Sequence, residues 1–393
     1  MTRRSLMAGA GSLLMLAASP GEARARIARD GGSKREAGAA RHSSISHGTR
    51  LVHADLHNHT LMSDGGGDPA LAFASMRDSG LDVAALTDHA TNNDAYGMST
   101  KDWERTGKLA DAANDPNHYT AMRGFEWSHP SLGHINVWGT RHYADLKKAK
   151  DLPALFDWIR HSDGISSFNH PGRELRRFNE FKYDARLLDQ MVGLELFNQR
   201  TDFLFHGWSQ GRPSPLTACL NAGWRTGITG VTDEHGGDWG RTEGKGRAGL
   251  WVTENTRNGV LKAMRARRFF ATRVSGLRLD ALAAGVRMGG VLPFAKRDVK
   301  FAVDLDRGPQ WHGKKLHVQV LRPGTKAPEV VDVIETECGK VTRFTVPLDL
   351  QDGPWVVLRI SDPTQVNATP GPKHHRCNDF GVAYSSPWWL SKA

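Results

Sequence analysis

Histidines and acids gather at metal-ligand spacing early in this 393-residue chain: His57 and His59 two apart, Asp64 five further on, and His89 after Thr87-Asp88. Imidazole nitrogens and carboxylate oxygens are the donors that hold Zn, Mn or Fe. Residues two apart on an extended strand face the same way, so both rings of the first pair can meet one ion. Downstream come Glu126, His134 and His170, then Asp233 and His235, again two apart. A lone histidine is more often structural than a ligand. Nine donors, nearly all closing strand-like runs, point to a divalent-metal centre.

The elements that must carry them can be read around each motif. Leu51-Val52 leads a strand into His57 and His59, and Ser63-Asp64-Gly65-Gly66-Gly67 reads as a loop. Asp68-Pro69 reads as a helix cap with proline at the first helical position, and the helix runs over 70–79 to Gly80. The apolar run 81–86 is then a buried strand that delivers Asp88 and His89. This is a βαβ unit with ligands at the carboxyl ends of its strands, where parallel α/β folds place their sites. Further strands are expected over 119–126 with Glu126 at the end, from Gly133, over 164–170, where Pro171 forces the chain off the sheet, over 193–198 and over 228–235. Helices are expected over 152–161 and 259–268. Beyond Val274 the short alternating runs 299–304, 316–321, 329–335, 343–346 and 355–360 predict an antiparallel β-sandwich without a ligand cluster.

Taken in order, Asp55-Leu56-His57-x-His59, Ser63-Asp64-Gly65, Thr87-Asp88-His89, Glu126 with Gly133-His134, Asn169-His170-Pro171 and Thr232-Asp233-x-His235 resemble the polymerase and histidinol phosphatase (PHP) superfamily of metallohydrolases. The resemblance implies a distorted (β/α)7 barrel over 51–273, followed by the sandwich over 274–393. It implies two or three divalent ions, Zn, Mn or Fe. His57, His59, Glu126 and Asp233 would hold the first and Asp64, His89 and His235 the second. Glu126 would bridge to a third on His134 and His170. Asp64 stands at a position that varies within the superfamily. The implied activity is phosphoester hydrolysis by a metal-bridged hydroxide. A looser similarity, in Arg268-Phe269-Phe270-Ala271-Thr272, Met288-Gly289-Gly290 and the closing stretch from Ala383 to Trp389, is to exported carbaryl-hydrolase-like members, which adds carbamate or carboxyl ester hydrolysis as the alternative. A metal-bearing binding protein without catalysis is the third reading.

Around the ligands, Asp64 counts as catalytic as well as ligating, and His129 could protonate a leaving group. Arg173 and Arg200 could each clamp a substrate anion, and Asp88 could orient a ligand. The loop 236–247, with Trp239, Arg241, Lys245 and Arg247 among glycines, reads as a basic lid. Most of the 12 tryptophans are expected in the core.

Residues 1–25 have a signal-peptide layout: Arg3-Arg4, a short apolar run and Ala23-Arg24-Ala25. Paired arginines resemble a twin-arginine signal, so an exported, periplasmic protein without a stable membrane anchor is expected. Residues 26–50, rich in Gly, Ser, Ala and Arg, read as a disordered basic linker. Of the net charge of +10, three arginines against Glu22 and then six Arg or Lys against Asp30 and Glu36 put the larger part in this tail. The remainder is too small to argue for a nucleic-acid surface by itself, and no nucleic-acid partner is expected. The expected partner is a small-molecule ester; oligomeric state is left open. Cys219, Cys338 and Cys377 show no metal spacing, and only a Cys338–Cys377 bridge is conceivable.

Overall fold

The apolar run at Leu51 forms β1 (Arg50–Asp55), from which a large mixed sheet extends in both directions. The computed structural model describes residues 38–91, 97–174, 176–241 and 243–392. The signal-like stretch and the first part of the linker lie outside them. After β1 comes the helix Pro69–Asp78, where the Asp68 side chain accepts from Ala70 N–H at 3.0 Å and Pro69 opens the first turn. Gly80, at φ 78, then reverses the chain, and β2 (Val83–Leu86) is buried at every residue, as an interior parallel strand must be.

β2 pairs parallel with β1 and with β3 (Thr120–His129). β3 continues past Glu126, so that residue lies inside a strand and not at its end, where the sequence led one to expect it. The chain then hairpins into antiparallel β4 (Gly133–Trp138), followed by β5 (Ile165–Phe168) and parallel β6 (Met191–Asn198). The two-residue β7 (Thr201–Asp202) and the parallel β8 (Gly227–Val231) both pair with β6. On the other side of β1 lie β9 (Arg247–Val252) and β10 (Phe269–Thr272), both antiparallel. Past the ends of β1 and β8 the two stretches go on bonding to each other: Asp233 N–H donates to His57 O and His59 N–H to Glu234 O, each at 3.0 Å. A parallel bridge between Asn58 and Glu234 thus links the stretches that follow β1 and β8. Helix Leu152–Arg160 buries Leu152, Leu155, Phe156 and Ile159, spaced for one helical face.

The C-terminal strands form two layers. One is a four-stranded sheet of β11 (Arg278–Ala283), β12 (Val286–Arg287), β14 (Lys296–Asp306) and β17 (Lys340–Asp349), with β13 (Val291–Pro293) apart from it. The other contains β15 (Lys315–Arg322), β16 (Glu329–Glu337), β18 (Trp355–Val366), β19 (Asp379–Ser385) and β20 (Trp388–Ser391). Leu279, Phe301 and Val303 meet Val318, Leu358 and Trp388 in the core between them. β19 pairs with β10, so this second layer continues the large sheet.

One expectation changes. Residues 38–50 are held in place instead of being disordered: Ser44 N–H donates to Asp304 at 2.7 Å, Ser46 Oγ to Asp280 at 2.5 Å, and Arg41 pairs with Asp82 at 2.8 Å. Their composition gives them no core of their own, but buried acids on neighbouring strands supply partners. Cys338 and Cys377 are free and buried, as is Cys219. Among the tryptophans, Trp127, Trp138, Trp224, Trp251, Trp355 and Trp388 are core side chains, as expected. No described helix is long and apolar enough to cross a membrane.

Candidate metal centre

Alternation along the extended stretch after β1 places His57 and His59 on one side and Asn58 on the other, where its amide donates to Ala85 O at 3.1 Å. Asp55 accepts from Thr232 N–H at 3.1 Å and from the Thr232 hydroxyl at 2.5 Å, which brings Asp233 opposite the two rings. His89 follows β2 and bridges to Glu126 of β3. Antiparallel pairing of Ser128 with His134 puts His134 on the same face as Glu126, and His170 arrives from the end of β5. Asp233 and His170 have φ of 48° and 25°. Non-glycine residues adopt that region at a cost, and such residues concentrate at functional sites.

The donors converge. His57 Nε2 is 3.0 Å from His59 Nε2 and 3.3 Å from both Glu126 Oε1 and Asp233 Oδ1. His59 Nε2 is 3.3 Å from Asp233 Oδ1 and 3.5 Å from Glu126 Oε2. Four ligands at ~2.0–2.2 Å from one tetrahedral ion lie about 3.3–3.6 Å apart, so the residues fit a divalent cation. Asp64 stands 3.4 Å from both His89 Nε2 and His235 Nε2 and 3.7 Å from His59 Nδ1, a second convergence. At a third, Glu126 Oε1 is 3.3 Å from both His134 Nδ1 and His170 Nε2. His134 Nδ1 is buried without a hydrogen bond, which an electropositive partner would relieve, and Glu126 Oε2 lies 2.7 Å from His89 Nδ1. All nine residues singled out in the sequence therefore meet in one continuous cluster.

Its electrostatics are those of a cation hole. Burial alone would raise the carboxyls of Glu126 and Asp233, yet the adjoining imidazoles hold both well below the usual range. Burial opposes charge on the rings too, but the carboxylates win at His57, well above its ordinary value, at His89, raised to about 10, and at His170, raised to about 9. His59 goes the other way, to about 3, through burial and the neighbouring His89. Without ions, protons on the histidines balance the carboxylates.

Other residues from the sequence fall differently. Arg173 reaches the cluster, donating to Asp233 Oδ2 at 3.0 Å and Asn198 Oδ1 at 2.8 Å. Arg200 is exposed and lies against Gly244. His129 Nδ1 accepts from Ser131 and Leu132 N–H at 3.2 Å, so it staples a loop, and burial and Arg176 lower its pKa. Asp88 does not orient His89. It clamps the loop after His59, accepting from Thr60 N–H and Ser63 Oγ at 2.7 Å. The expected lid is anchored: Trp239 is buried and donates to His59 O at 3.1 Å, and Lys245 pairs with Glu234.

Two buried carboxylates escaped sequence reasoning. Glu195 accepts from His57 Nδ1 at 2.8 Å, from His170 N–H at 2.7 Å and from the Asn198 amide at 2.9 Å. Glu174 stands beside His134 and His170. An acid within the apolar run Leu194-Glu195-Leu196-Phe197 was the available signal for the first; the second sits in a turn with no pattern.

Residues 46–138 match the family model for a protein of unknown function (DUF3604). No curated protein matches the chain. Among solved structures it is similar to a two-domain protein of Bacteroides vulgatus containing a predicted PHP-like metal-dependent phosphoesterase. The identity is 15%, over 91% of this chain and 100% of that one, with a TM-score of 0.49. It is also similar to an amidohydrolase of Chromobacterium violaceum with bound sulfate and no metal, at 16% identity over 48% and 90% of the two chains, with a TM-score of 0.27.

Proposed function

We propose that this chain is a metal-dependent hydrolase of the PHP superfamily, a phosphoesterase acting on small-molecule esters. The carrying observation is the convergence of His57, His59, Glu126 and Asp233 at 3.0–3.5 Å, with Asp64, His89, His134, His170 and His235 adjoining. Two or three divalent ions held there would acidify a water and neutralise charge building on the ester oxygens. The nine residues supply the ligands, and in this reading 51–273 is a (β/α)7 barrel with the sandwich over 274–393.

The surrounding residues favour an anionic substrate. The Arg173 guanidinium sits on Asp233 with its side chain 38% exposed, so it can reach a substrate oxygen while holding the ligand carboxylate in place. Glu195 holds the His57 ring so that its second nitrogen faces the cluster. His129, with its Nδ1 accepting two backbone N–H groups, is a poor general acid, and the leaving oxygen takes its proton from solvent. Buried tryptophans leave little aromatic wall for an aryl carbamate, which supports the phosphoester reading over the carbamate or carboxyl ester one.

The test is kcat/KM on a phosphomonoester, a phosphodiester and an aryl N-methylcarbamate, with protein reconstituted separately with Zn and Mn. A phosphate preference of about a hundredfold, roughly 2.7 kcal/mol of transition-state binding, is expected. The reverse preference would make it an ester or carbamate hydrolase. Metal-loaded protein inert toward all three would favour a binding protein.

A further inference from the structure

We infer that Glu174 is a positioning residue that holds His134 and His170 in the tautomers presenting their lone pairs to Glu126, and so sets the affinity of the third metal site; this rests on the metal-centre reading above. The two imidazoles stand between two carboxylates. On one side, His134 Nδ1 and His170 Nε2 each lie 3.3 Å from Glu126 Oε1. On the other, the opposite nitrogens face Glu174 Oε1, His170 Nδ1 at 3.4 Å and His134 Nε2 at 3.9 Å.

A neutral imidazole carries one N–H and one lone pair, and whatever engages one nitrogen decides what the other offers. The Glu174 side chain is only 8% exposed, and its Oε2 has no hydrogen bond. A carboxylate so buried needs donors, and the ring N–H groups of His134 and His170 are the ones facing it. With those protons on the Glu174 side, both lone pairs converge beside Glu126. Glu195 shows the closer form of this arrangement at His57, hydrogen-bonded to Nδ1 at 2.8 Å while Nε2 faces Glu126 and Asp233; Glu174 faces its two rings at ion-pair distance.

The loop that carries Glu174 is built for this. Gly172 has a φ of +125°, closed to most side chains, and Arg212 donates to the carbonyls of Gly172 and Glu174 at 3.2 and 3.3 Å. Arg173 turns to Asp233 and Glu174 to His134 and His170, so neighbours in one turn serve opposite ends of the cluster.

The experiment is site-resolved metal binding. Wild type, Glu174→Gln and Glu174→Ala would be stripped and titrated with Zn by equilibrium dialysis with elemental analysis. Wild-type crystals would be mapped by anomalous scattering at the zinc edge. Expected are three ions in wild type, with density between Glu126 and the two rings. In Glu174→Ala one ion should bind about 10- to 100-fold more weakly while the other two are unchanged. Glu174→Gln, whose amide oxygen still accepts one N–H, should fall between them and keeps the test open if the alanine variant does not fold. Unchanged binding of all three ions in folded variants, density on the Glu174 side of the rings, or a wild type holding two ions with His134 and His170 bare would overturn the inference and leave the metal-centre reading standing. A wild type that binds no zinc overturns both.

Discussion

Asp233 shows how much one side chain carries. It contacts His57, His59, His235 and Arg173 from a left-handed backbone position. Asp233→Ala should remove a ligand and leave the Arg173 guanidinium unpaired, so at least one equivalent of bound metal should be lost on elemental analysis and hydrolysis should fall with it; retention of both would refute the site. The raised histidines make a second prediction. Ions must displace protons from His57, His89 and His170, so metal loading should release protons, seen as a buffer-dependent enthalpy in calorimetry, and apparent affinity should rise with pH. For metal-free protein the sign follows from the same shifts. His89 and His170, at about 10 and about 9, contribute stability that is complete below the unfolded value near ~6.5 and is lost as pH climbs through 9 to 10. The depressed Glu126 and Asp233 contribute stability that is complete above the ordinary carboxylate range and is lost as pH falls from that range through their folded values. The melting temperature of stripped protein should therefore fall between pH 7 and 10, and that of loaded protein should fall less.

At the scale of elements, the connections set the geometry. The loop after β8 packs Trp239 against Gly67, at a point where any side chain on that glycine would collide with the indole, and the indole N–H holds the carbonyl of His59. Trp239→Ala should cost about 3–5 kcal/mol in denaturant unfolding and weaken metal binding as the His59 segment loosens. A loss under 1 kcal/mol would mean that the loop is a loose lid after all. Gly246 lies against the carbonyls of Val231 and Phe197, with a Cβ there only 2.5 and 2.6 Å from them. Even alanine must shift the Gly246 segment away from β6 and β8 at that point, beside the turn that carries Asp233.

Across the whole molecule, the sandwich braces the segment after β6. Arg359 on β18, fully buried, pairs with Asp379 and donates to Gln319 at 2.7 Å and to the Tyr384 hydroxyl at 3.0 Å. That hydroxyl in turn donates to Asp202 of β7 at 3.0 Å. Removing one partner of a buried charge network leaves the others uncompensated. Arg359→Leu is thus expected to destabilise by about 3–5 kcal/mol, measured by chemical denaturation. Asn367 and Thr369 also bond to Asp202, so the C-terminal strands support the wall of the centre from outside.

The amino-acid order by itself determined the candidate ligands and the local devices. The nine donors, the Asp68-Pro69 cap and the turn at Gly80 depend on residue type and near neighbours, and these are readable along a chain. The strands β9, β13, β19 and β20 are not legible in the sequence, because partners distant along the chain decide those pairings; the helix Thr100–Ala113 carries a local signal, the capping box at Ser99 and Asp102, that escaped sequence reasoning. The ordering of residues 38–50 depended on acids more than 200 positions away. Only the tertiary structure decided which carboxylates stand behind the histidines. Glu195 and Glu174 act through distance and burial, and a carboxylate's neighbours across a folded sheet leave no periodic trace in the chain that encodes them.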